Sequence, residues 1–119
     1  MLSDLAARYV QTPRNVGPLA PPARYGVSGT PGDGPSVQVW LRIKDGVIED
    51  AAARTHGCPS SIACAGLICD LIRGRTVEQA LLLTAEDLTT VLGGLPDGKG
   101  YLAGMAVEAV RRAIESEET

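Results

Sequence analysis

Phenylalanine is absent from these 119 residues, and with one Trp and three Tyr the aromatic share is only 3%. The core must therefore be built from Val, Leu, Ile and Ala. No apolar run approaches the roughly 18 residues of a membrane span, and Met1 to Val10 lacks the basic start and long apolar stretch of a secretion signal. The expected setting is cytoplasmic, with no membrane partner. Basic charge is not concentrated: nine Arg and two Lys are scattered among seven Asp and seven Glu, for a net charge of -3. Without a basic stripe to neutralise a phosphate backbone, nucleic acid is not an expected partner. Three cysteines, an odd number at irregular spacing, make no disulfide framework and fit reduced thiols. Hydrolase machinery is missing as well, since the single His is accompanied by no nucleophile motif around any Ser. Gly32-Asp33-Gly34 has no following Lys-Ser/Thr and opens a strand instead of a helix, so it is no phosphate loop.

What is present fits one globular domain over residues 1–119, with 45% apolar and 21% charged residues. A chain of this size buries roughly 65 to 70% of its unfolded surface, so it needs no metal as a staple. Any bound metal would serve a function. Residues 12–35 hold six of the eight Pro and five of the fourteen Gly, which bars a helix or a central strand and predicts a long loop. Structureless loops of that length usually either do something or are disordered, so function is sought there first.

Before the loop, Ser3 can cap a short helix through Val10 that Pro13 ends. After it, Val37, Val39, Leu41 and Ile43 alternate with polar neighbours, the pattern of a strand with one buried face; Trp40 sits on the polar side. Asp45-Gly46 reads as a tight hairpin turn, and the return strand from Val47 to about Thr55 is small and weakly alternating. From about Ser60, Cys64, Leu67, Ile68 and Leu71 mark a helix that Gly74 stops. Thr76 with Gln79 and Thr84 with Asp87 suggest caps for two short helices. The last helix carries Leu102, Met105, Ala106, Ala109, Val110 and Ala113 on one stripe, and Ser116 to Thr119 are expected to fray. Strands first and helices after predict an α+β domain, an antiparallel sheet with helices packed on one face.

Among candidate functional residues, Cys58 in Gly57-Cys58-Pro59 stands at the start of the long helix. The positive end of the helix dipole favours a metal-binding, nucleophilic thiolate there, and a small packed residue at a tight turn is the alternative. Cys64 and Cys69 lie about 140° apart around a helix and read as packing residues. His56, two residues before Cys58, would share its face in an extended chain and supply a second metal ligand. A tetrahedral site would still need Asp33 or Tyr101 from elsewhere, and a surface His is the simpler reading.

Thr12-Pro13-Arg14-Asn15-Val16-Gly17, Gly29-Thr30-Pro31, Gly57-Cys58-Pro59-Ser60-Ser61-Ile62-Ala63, Gly74-Arg75-Thr76 and Gly93-Gly94-Leu95-Pro96 together resemble the IscU/NifU-type iron-sulfur cluster assembly scaffold family, over roughly residues 5–114. The resemblance implies a three-stranded antiparallel sheet and a non-enzymatic scaffold. It also implies an iron-sulfur cluster as cargo, with a cysteine desulfurase, client apo-proteins and an Hsp70-type chaperone as partners. The family pattern holds its cluster with three Cys, an Asp two residues after the first, and a His before the last. Cys58 matches the second Cys. Asp33 stands at the first, Pro35 at the Asp, and Tyr101-Leu102 at the His-Cys pair. Clusters are held by thiolates, so one Cys predicts impaired autonomous assembly. On this reading Asp33→Cys, Pro35→Asp, Tyr101→His and Leu102→Cys would restore the set. Two other readings remain open: a cluster-free interaction or regulatory module docking on a desulfurase or a true scaffold, and a single zinc or iron site formed by Asp33, His56 and Cys58.

Overall fold

The computed structural model describes residues 2–119. In chain order it contains α1 (Asp4–Gln11), β1 (Arg24–Thr30), β2 (Asp33–Lys44), β3 (Val47–His56), α2 (Pro59–Ile72), α3 (Val77–Leu81), α4 (Ala85–Val91) and α5 (Tyr101–Glu115). The sheet is antiparallel in the order β1-β2-β3. Asp45 and Gly46 both take positive φ, 53° and 76°, which matches the twist of the β2–β3 hairpin. Both capping boxes form, because Thr76 and Thr84 accept from the backbone three residues on while Gln79 and Asp87 reach back.

Val37, Val39 and Leu41 of β2, with Ile48, Ala51 and Ala53 of β3, bury one sheet face under α2 and α5. The sequence stripe of α2 understates its burial. Ser60, Ser61 and every residue from Ala63 to Cys69 are buried, as befits a central helix enclosed by β3, α1 and α5. Two glycines set the spacing of these layers: Gly66 lets the Tyr9 ring lie on α2, and Gly26 lets the backbone of α5 rest on β1.

Two sequence expectations are corrected. Residues 12–35 are not one loop: β1 occupies its second half as an edge strand, where Pro and Gly are tolerated, and Asp33 to Pro35 already belong to β2. The tail does not fray, since Thr119 exchanges two backbone hydrogen bonds of 3.0 Å with Ala23. The first half of the Pro-rich segment connects α1 to β1 by crossing the outer sheet face. Val16 bridges to Ala53 at the β3 edge, Gly17 lies against Trp40 and Ala52, and Arg42 donates to the Ala20 carbonyl at 2.9 Å. That crossing lies over Trp40, which shares the outer face with Tyr25 of β1. Among the described residues no helix is long and apolar enough to cross a membrane.

Candidate functional site

At the end of β3 the chain must turn sharply into α2, and Gly57 does so at φ 144°. Cys58 follows in an extended conformation as the N-cap residue, and Pro59 occupies the first turn. Ser61 fixes the cap by donating to the Cys58 carbonyl from both its N–H, at 3.0 Å, and its Oγ, at 2.7 Å. The Cys58 side chain is thus not spent on capping, and it is half-buried.

Its electrostatics favour the thiolate. Partial burial by itself raises the Cys58 pKa, but the N–H groups of Ser61 and Ser60, the Lys99 ammonium and the Ser60 hydroxyl outweigh it and hold the thiol below its ordinary value. Burial pushes the other two thiols the opposite way, Cys64 to about 11 and Cys69 to about 12. Both are core residues, all three thiols are free, and only Cys58 reaches solvent. Lys99, Ser60 and Ser61 were not singled out from sequence as site residues. The signal was the Ser60-Ser61 pair directly after Cys58-Pro59, and a lone Lys just before α5.

The remaining candidates do not assemble around Cys58. Asp33 is exposed at the β1–β2 hairpin, paired across it with Thr30. His56 is exposed and lies opposite Ser36 in the β2–β3 ladder, three residues along β2 from Asp33. Among the described residues, no three His, Cys, Asp or Glu side chains come together as a metal-holding group. Asp33, His56 and Cys58 therefore make no preformed triad. Pro35 is the β2 residue bordering this corner, its Cβ 3.8 Å from where a Cβ on Gly57 would lie. On α5, Tyr101 is 52% exposed, whereas Leu102 is 1% exposed and belongs to the hydrophobic core. Iron-sulfur clusters take mostly thiolate ligands, and of the three thiols only Cys58 lies outside the buried core.

The sequence and the fold have known counterparts. A family model for the NifU-like N-terminal domain matches residues 2–118. The chain belongs to that family. NifU-like and IscU relatives share its sequence along nearly its whole length: an iron-sulfur cluster assembly scaffold protein IscU of Archaeoglobus fulgidus is 36% identical over 114 residues, covering 96% of this chain and 74% of the relative. An IscU scaffold protein of Azotobacter vinelandii is 32% identical over 116 residues, covering 94% and 90%. Among solved structures, a putative iron-sulfur cluster assembly scaffold protein for the SUF system from Fervidobacterium islandicum superposes with a TM-score of 0.71 at 18% identity, over 94% of this chain and 95% of that one. The N-terminal part of a NifU-like protein from Brucella abortus gives 0.59 at 22% identity, over 95% and 78%. These structural likenesses bear on the fold, which is the three-stranded α+β arrangement expected from sequence.

Proposed function

We propose that this NifU-like protein works in iron-sulfur cluster biogenesis as a non-enzymatic, single-domain member of the scaffold family, and that it does not assemble a cluster on its own chain. The observation that carries the second part is the ligand set. Of the five family positions only Cys58 is kept, and Leu102, at the place of the last cysteine, is locked in the core. That burial also changes what restoration takes. A thiol at position 102 would point where Leu102 points, so the four substitutions at 33, 35, 101 and 102 recreate a site only if the first turn of α5 reorients. The partners on this reading are a cysteine desulfurase, client apo-proteins and an Hsp70-type chaperone, and three free thiols support a cytoplasmic setting.

A second reading, a cluster-free module that docks on a desulfurase or on a ligand-complete scaffold, is supported by a complete fold beside an incomplete ligand set. A single zinc or iron held by Asp33, His56 and Cys58 has the weaker support, because the three do not converge. Anaerobic purification with iron, sulfide and zinc analysis separates these. The proposal expects neither sulfide nor stoichiometric iron; one zinc or iron per chain favours the third reading, and matched iron and sulfide overturns the loss of autonomous assembly. A desulfurase or scaffold recovered without iron or sulfide favours the second reading.

A further inference from the structure

Residues 16–22, which cross the outer sheet face, are bounded by two firm anchors. At one end, the Asn15 amide donates to the Gly66 carbonyl and to Asp70 Oδ1, each at 3.0 Å, and its oxygen accepts from Arg73 Nη2 at 2.6 Å. Its backbone carbonyl accepts from Ala53 N–H at 2.7 Å. At the other end Ala23 is buried and doubly bonded to Thr119. Between the anchors attachment is slight. Gly17 N–H donates to the Ala53 carbonyl at 2.9 Å, Arg42 to Ala20, and Arg54 to the Gly17 carbonyl at 3.5 Å. None of residues 16–22 contributes to the core cluster, and Val16 is 66% exposed.

We propose that Val16–Pro22 is a strap, hinged at Asn15 and Ala23, that opens as a unit while the body stays folded, uncovering Trp40, Ala52 and the Ala53 carbonyl at the β3 edge. Opening breaks the three hydrogen bonds just named and the packing of the buried Gly17 on Trp40 and Ala52, and leaves the contacts between sheet and helices and both anchors in place. Elements with few buried apolar contacts and solvent-exposed hydrogen bonds are those that open locally below the global unfolding free energy. The strap thereby controls access to the apolar part of an otherwise polar face. Nothing in this mechanism depends on whether a cluster is carried.

Native-state hydrogen exchange on the unmodified protein tests it. Gly17 N–H, bonded across the opening strap, is expected to be at least roughly a hundredfold less protected than Ala53 N–H, which is bonded to the Asn15 anchor, and than core amides such as Ile68. Equal protection of Gly17 and Ile68 would overturn the proposal. The second arm is Gly17→Ala, whose Cβ would lie 2.7 Å from Trp40 Cε3 and so hold the strap off the ring. Trp40 is the only Trp. Its quenching by acrylamide should rise several-fold in the variant while cooperative melting and far-ultraviolet dichroism persist. A Trp40 that stays shielded, or that becomes accessible only with loss of the whole fold, would show that the strap is not a separate unit.

Discussion

Gly26→Ala is expected to be among the most damaging single-methyl additions in this protein. A Cβ there would lie 2.9 Å from Ala113 Cα, and closer still to Ala113 N and Ala109 O. All three are backbone atoms of α5, so no side chain can swing aside, and relief requires lifting the helix from the sheet. The same stretch of α5 buries Ala106, Ala109, Val110 and Ala113, whose packing would loosen together. Overpacking costs about 1–3 kcal/mol, and a clash with rigid backbone belongs at the upper end, about 3 kcal/mol. For a domain of this size that lowers Tm by roughly 12 °C. Gly104→Ala is the control. It lies within the same helix, a Cβ there meets nothing within 4 Å, and removing a helix-interior Gly should stabilise by roughly 0.5–1 kcal/mol. Thermal and urea unfolding of both variants beside the parent gives the comparison. A Gly26→Ala protein melting within about 2 °C of the parent would refute the seating of α5 on β1.

Three further experiments test the thiols and the anchor beneath the strap. Iodoacetamide should label Cys58 much faster than Cys64 or Cys69, with a rate that rises with pH around a midpoint below that of a free cysteine; equally slow labelling of all three would remove Cys58 from the site. Tyr9 donates to Asp70 at 2.6 Å, and burial, then this bond and the Asp70 charge, push its pKa from 10.0 to about 12. Because the folded value is raised, the associated stability is full below pH 10 and lost as pH rises towards 12. Tyr9→Phe should flatten that alkaline fall in Tm, and an unchanged fall would contradict the assignment. Asp70 runs the other way: burial raises its pKa, but bonds from Tyr9 and Asn15 and the charges of Arg14 and Arg73 hold it below 3.8. Its contribution is present above that value and lost on acidification through the lower folded one, so Asp70→Asn should narrow the Tm difference between pH 5 and pH 2.

The elements legible in the sequence were those whose causes are local. Asp45-Gly46 dictates its own turn, Thr76 with Gln79 and Thr84 with Asp87 cap helices within four residues, and the β2 alternation is a property of one strand. β1 was hidden because its reasons lie elsewhere in the chain. Gly26, which lowers strand propensity locally, is required by α5, and Tyr25 pairs with Trp40 across the sheet, their rings tilted with centroids 5.3 Å apart. The tail was misjudged for the same reason, its partner Ala23 being 96 residues away. At the site, Gly57-Cys58-Pro59 announced the thiol at a helix start. The failure of Asp33 and His56 to join it depends on hairpin register, which no spacing rule conveys.

On the proposed function, this scaffold-family fold lacks the ligands to hold a cluster on one chain. Anaerobic reconstitution with ferrous iron and sulfide tests it most directly, run beside an IscU scaffold relative as control and followed by desalting, visible absorption and assay of bound iron and acid-labile sulfide. This protein is expected to return to background in absorption and sulfide while the control retains both. Matched iron and sulfide, retained through desalting by the unmodified protein as firmly as by the control, would contradict it.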